Sequence, residues 1–93
     1  MQATDRISRA DHVVSREVSG ETVLLDLESG TYFGLNPVGG RVWDFLGEGG
    51  RSKDEITAML VEEYDVGREQ AVADVSALLA DLRGNGLLQA DPS

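Results

Sequence analysis

The chain of 93 residues predicts one α+β domain, a three-stranded antiparallel β-meander followed by three α-helices. Two observations carry this. Short runs rich in valine and leucine, joined by two-residue connections containing glycine, fill residues 12–35. From Val38 to Leu82, apolar residues instead recur at helical spacing between recognisable caps and glycine stops.

The first strand is expected over residues 12–18, where valine is frequent. The second, residues 22–28, sets Val23, Leu25 and Leu27 at period two and places Leu24 and Asp26 on the opposite face. Ser19-Gly20 and Ser29-Gly30 are the hairpin connections, and the third strand is Thr31-Tyr32-Phe33-Gly34-Leu35. The second strand is then central and the other two are edges. Asn36-Pro37 caps the first helix, with proline where its missing N–H costs nothing. Val38, Val42, Phe45 and Leu46 form its stripe, and Gly47, Gly49 and Gly50 stop it. Ser52 and Glu55 have the spacing of a capping box for the second helix, which carries Ile56, Met59, Leu60 and Tyr64 to a stop at 65–67. The third helix spans 68–83 with Val72, Val75, Leu79 and Leu82 on one stripe, and Leu87-Leu88 folds back beyond Gly86 to close the core. Residues 1–11 and 90–93 read as frayed tails around a domain of residues 12–89. A hairpin sheet joined to three short helices is the set of parts of a winged-helix-like domain.

Composition excludes much chemistry. The chain has no cysteine, which removes disulfides, zinc–thiolate sites and cysteine nucleophiles, and its one histidine leaves little for a metal cluster. Lys+Arg number 8 against 17 Asp+Glu, for a net charge of −9. A hydrophobic share of 41% is that of a globular protein. No apolar stretch approaches a membrane span or a signal h-region, so a cytoplasmic protein without a membrane partner is expected.

Catalysis finds no footing. His12 stands near the frayed start of an edge strand, where a general base is poorly held, and reads as a surface histidine. Glu62, Glu63 and Asp65 match no calcium loop and read as a solvated helix end. Gly47-Glu48-Gly49-Gly50 follows a helix and lacks the Gly-Lys-Ser/Thr ending of a phosphate loop. No enzyme, cofactor or metal is expected. Nucleic acid is disfavoured too, because Glu69, Asp74 and Asp81 on the third helix would face phosphates and only Arg68 and Arg83, at its ends, are positive.

Peptide binding remains. On a helical wheel Ala71, Val72, Val75, Leu78, Leu79 and Leu82 fill an arc of about 120°, with Leu78 and Ala71 at one margin beside Asp74 and Asp81. That stripe is also narrow enough to be core throughout. The third strand leaves one row of backbone groups unpaired, and Thr31 to Leu35 contains neither charge nor proline to blunt it. Such an edge beside an apolar helix margin suits β-strand addition of a guest peptide; self-pairing through the edge, or a helix covering it, are the rivals.

The same residues resemble a known family. Glu21-Thr-Val-Leu-Leu-Asp, Gly30-Thr-Tyr-Phe-Gly-Leu-Asn36, Val42-Trp43, Glu63-Tyr64-Asp65-Val66, Asp74-Val75, Leu78-Leu79, Leu82 and Gly86-Leu87-Leu88 follow the order seen in PqqD-like proteins, the peptide chaperones also called RiPP precursor peptide recognition elements. The likeness spans about residues 13–88. It implies a winged-helix-like fold that takes up the leader of a ribosomally made precursor peptide as an extra strand, in a groove against the third helix. Thr31, Tyr32, Phe33, Gly34 and Leu35 would then supply backbone pairing and pocket walls. Ala71, Asp74, Val75, Leu78 and Leu82 would line the facing wall, with Asp74 and Asp81 pairing basic leader residues. Trp43 would pack in the core. Gly39-Gly40 departs from the alanine frequent in the family, which implies a looser turn or close packing against the sheet. The implied partners are the precursor leader and a maturation enzyme, either a lasso-peptide leader peptidase or a radical SAM protein, with the lasso system preferred. The chain would be a monomer or weak homodimer. The alternatives are a winged-helix transcription regulator or a protein–protein adaptor.

Overall fold

A computed structural model describes residues 6–91. Its elements, in order, are β1 (Arg6–Arg9), β2 (Val13–Val18), β3 (Glu21–Asp26), β4 (Tyr32–Leu35), α1 (Pro37–Gly47), α2 (Lys53–Tyr64), α3 (Arg68–Gly84) and β5 (Leu88–Asp91). The expected α+β order is present: β2-β3-β4 form an antiparallel sheet with β3 central, and three helices follow.

Local chemistry sets the boundaries. Ser19 (φ 54°) and Gly20 (φ 83°) are both left-handed, the geometry of a tight turn whose twist matches the strands it joins. Val18 pairs with Glu21 directly across it. The β3–β4 connection is longer than the expected Ser29-Gly30 pair, because β3 stops at Asp26. The Asp26 carboxylate accepts from the N–H groups of Glu28 (2.9 Å) and Ser29 (3.2 Å), turning residues 27–31 away from the ladder. The Asn36 side chain accepts from the Gly39 N–H at 2.8 Å, and Ser52 and Glu55 close a reciprocal capping box.

The core has two lobes. Ile7, Val42, Leu46, Ile56, Met59, Leu60, Ala71, Val75 and Leu79 fill one; Ala10, Val13, Leu24, Leu35, Trp43, Leu82 and Leu87 fill the other. Leu78 and Leu88, both half-buried, pack against each lobe. Leu24 and Asp26 do share a face of β3, and it is the buried one; Val23 and Leu25 face outward, half-covered. Gly40 is packed tightly against the sheet: a Cβ there would lie 2.5 Å from the Thr22 hydroxyl. Trp43 is fully buried, as expected.

The tails need correction. Arg6–Arg9 is a strand, antiparallel to β5, and the Ile7 side chain is only 5% exposed. Ile7 also exchanges backbone hydrogen bonds with Arg51 (2.8 and 3.0 Å), which holds β1 from its other side. The Arg9 guanidinium donates twice to the Trp43 carbonyl (2.9 and 2.6 Å) and lies 4.9 Å from the ring centroid. The first residues of the expected N-terminal tail and the last two of the C-terminal one lie outside the described residues.

Three carboxylates are held below their ordinary pKa. Burial opposes ionisation of Asp26, yet the Glu28 and Ser29 N–H groups and nearby His12 outweigh it. Glu55 is lowered first by the Ser52 N–H, against a burial cost and with help from Arg6 and Arg51. Glu63 is lowered by its paired hydrogen bonds from Arg41 (2.9 and 2.8 Å), which join α1 to α2. A depressed carboxyl contributes stability above its unfolded pKa of about 4, and that contribution disappears as pH falls through the folded value. Melting temperatures followed by circular dichroism are therefore expected to hold from pH 7 to about 5 and to fall below about 4. Arg41→Gln should remove part of that acid dependence; an unchanged profile in this variant would discount the α1–α2 pair.

Candidate functional site

Two features of the fold converge beside β4. Among the described residues the strand has β3 on one side only. The Asp26 N–H donates to the Thr31 carbonyl at 2.9 Å, and hydrogen-bonded pairs alternate along an antiparallel ladder. Phe33 and Leu35 are therefore the residues that bond to β3, and the N–H and C=O groups of Tyr32 and Gly34 point off the free edge. The opposite edge strand, β2, carries Arg16 and Glu17, charges of the kind that guard an edge. On β4 there is none.

Across from that edge stands α3. It packs on α2 and β5, whereas β4 packs on β3 and α1. Phe33 and Leu78, both half-buried, rest on the same core lobe. Just past the C-terminal end of β4, a channel of about 330 Å³ lies between the start of α1 and α3. Asn36, Val38 and Gly39 from the first turn of α1, Leu60 from α2, and Asp74, Ala77 and Leu78 from α3 line it. One carboxylate therefore stands at the rim of a mostly apolar cavity. Asp74 also accepts from the Gln70 amide at 2.9 Å, and Asp81, seven residues on, lies on the same exposed face of the helix.

The residues singled out in the sequence divide accordingly. Asp74 and Leu78 line the channel; Tyr32, Phe33 and Gly34 keep accessible surface on β4 without lining it, and Asp81 extends the acidic face of α3. Leu35, Ala71, Val75 and Leu82 are buried, so they support the channel from inside the core and present no surface to a guest. Thr31 is spent in the turn: its carbonyl accepts from Asp26 and its N–H donates to the Ser29 hydroxyl at 3.3 Å. Val72, at the margin of the expected stripe opposite Leu78, is 38% exposed, and the buried face of α3 is Ala71, Val75, Leu79 and Leu82. Asn36, Val38, Leu60 and Ala77 escaped the sequence reading. Exposed Val38, one residue past a helix-starting proline, was the available sign.

Elsewhere the polar groups serve the fold. His12 lies between Asp26 (3.7 Å) and Glu28 (3.8 Å) at the turn. Glu63 is bound by Arg41, and Asp65 ends α2 in a left-handed conformation. Among the described residues no group of His, Asp and Glu is placed to hold a metal ion, and no helix is long and apolar enough to cross a membrane.

Comparison with known proteins agrees with this fold. Two solved structures share the fold over nearly their whole length. One, described as TbiB1 in complex with the TbiA(beta) leader peptide, is 38% identical with a TM-score of 0.82, covering 92% of this chain and 99% of that one. The other, lasso peptide synthetase B1 complexed with the leader peptide, is 30% identical with a TM-score of 0.77, covering 92% and 98%. No curated protein sequence matches. The family model for coenzyme PQQ synthesis protein D matches residues 21–88, from the start of β3 to the start of β5 and so through the free edge, the channel and α3, and the chain belongs to the PqqD family.

Proposed function

We propose that the protein is a non-catalytic peptide chaperone that captures the leader of a ribosomally synthesised precursor and presents it to a maturation enzyme. The observation that carries this reading is the open β4 edge beside an apolar channel, in a fold whose 38% and 30% identical neighbours were each solved with a leader peptide. The leader adds antiparallel to β4 through Tyr32 and Gly34. Residues aligned with Phe33 and Leu35 turn toward α3, and side chains nearer the leader's N-terminus reach the hollow at Asn36 and Val38. Basic leader residues meet Asp74 and Asp81, each exposed pair contributing about 0–1 kcal/mol. Ordering a flexible leader offsets part of the contact energy, so affinity is moderate and the bound precursor can be passed on.

The lasso peptide synthetase neighbour favours a leader peptidase over a radical SAM enzyme as the next component, and in this reading both act in the cytoplasm. An amide-resolved NMR titration with the TbiA(beta) leader, in parallel with the leader half of a short precursor encoded beside the gene, tests the proposal. Saturable shifts confined to 32–36, the β3 residues Val23 and Leu25 beside them, and the Asp74–Leu82 face are expected. Shifts elsewhere, or shifts produced by duplex DNA and by neither peptide, would overturn it in favour of a regulator.

A further inference from the structure

The face of the sheet turned away from the channel carries a second feature. Val14, Leu25 and Tyr32 are cross-strand partners in one row, and Arg16, Val23 and Gly34 in the next. Tyr32 is 69% exposed, and with Val14, Val23 and Leu25 it borders a hollow of about 210 Å³ on this face. Gly34 stands where its row meets the free edge. Its backbone is outside the left-handed region, and a Cβ built on it meets nothing within 4 Å. Neither turn geometry nor packing inside the chain calls for glycine there, while a glycine within a strand weakens it and marks close approach by a ligand or another backbone.

The register says what approaches. Because the Gly34 N–H and C=O point off the edge, the guest residue opposite it forms a hydrogen-bonded pair and lifts its side chain onto this outer face. There it has Tyr32 as a diagonal neighbour and bare backbone between itself and Val23. An aromatic ring laid across a glycine on the neighbouring strand covers that backbone and supplies the packing the glycine lacks. We infer that Gly34, flanked by Tyr32 and Val23, is a specificity subsite on the outer face of the sheet, selecting a large apolar and preferably aromatic side chain at the guest position paired with it. The inference rests on the leader-binding reading and deepens it: a guest strand is gripped on both faces, in the channel and over Gly34.

The test uses the TbiA(beta) leader peptide and a series in which each of its residues in turn is alanine, with binding measured by calorimetry to the wild-type chain, Gly34→Val and Tyr32→Ala. Valine fills the slot and is a better strand residue, so the melting temperature of Gly34→Val should be unchanged or raised. Affinity for the intact leader is expected to fall about tenfold in Gly34→Val and about fivefold in Tyr32→Ala. One large apolar leader residue should show coupling: its alanine replacement weakens binding to wild type and costs Gly34→Val nothing further. Equal affinity of Gly34→Val and wild type, or a loss shared evenly by every peptide, overturns the subsite and leaves strand addition standing. Failure of the wild-type chain to bind the leader overturns both.

Discussion

Alanine in place of Trp43 is expected to bring the domain close to unfolding at room temperature. The side chain is fully buried and is the largest to be so, resting among Ala10, Val13, Leu24, Leu35, Leu82 and Leu87. Truncating a buried tryptophan costs about 3–5 kcal/mol, a large share of the roughly 5–14 kcal/mol available to a domain of this length. The void would open between α1 and the strands, where Arg9 also loses the ring beneath its guanidinium. Among the described residues Trp43 Nε1 is buried without a hydrogen-bond partner, so Trp43→Phe removes an unsatisfied donor as well as volume. Phenylalanine should therefore destabilise much less than alanine. Urea unfolding followed by far-UV circular dichroism measures both, since these variants lack the only tryptophan. An alanine midpoint within error of wild type would contradict the packing of this lobe.

Elements whose signals are local were legible from sequence. The Asn36-Pro37 start of α1, the Ser52–Glu55 box of α2 and the Ser19-Gly20 turn each depend on atoms within four residues, and each forms as read. β1 was invisible for the opposite reason. Arg6-Ile7-Ser8-Arg9 has a single apolar residue and no period, and its partners are β5, at the far end of the chain, and Arg51. The turn at 27–31 fails similarly. Leu27 continues the alternation of β3 in sequence, but the Asp26 carboxylate captures the next amides and ends the strand first. At the site, the edge was readable because an absence of charge and proline is a local property. The channel was only half readable. Its α3 wall follows from the helical wheel, but its floor at Leu60 and its mouth at Val38 exist only once α1 and α2 are packed. The wheel sets Val72 and Leu78 at opposite ends of the stripe, and these are the two that packing leaves partly uncovered, while Ala71, Val75, Leu79 and Leu82 between them are buried.

Glutamate in place of Leu78 is expected to produce the largest loss of leader capture by any single change on α3. Leu78 is the apolar residue that faces the channel while resting on both core lobes, so the substitution acts twice. It removes the surface on which a leader side chain would lie, and it places a carboxylate between Asp74 and Asp81, one helical turn from each. A guest side chain would then have to dehydrate a charge, and affinity should fall about 30- to 100-fold, or roughly 2–3 kcal/mol. Because Leu78 is half-buried, the introduced glutamate can turn its carboxylate to solvent, and the melting temperature should drop by no more than about 10 °C. Leu78→Ala separates the two effects: it loses the contact without adding charge, and should weaken binding about tenfold. Ala73→Glu, exposed on the same helix away from the channel, adds the same charge with little effect on capture. Calorimetric titration of the leader into all three, with melting curves alongside, decides the matter. Equal losses in Leu78→Glu and Ala73→Glu would mean that net charge alone governs uptake. An unaltered affinity in Leu78→Glu would mean that the leader lies along β4 without touching α3.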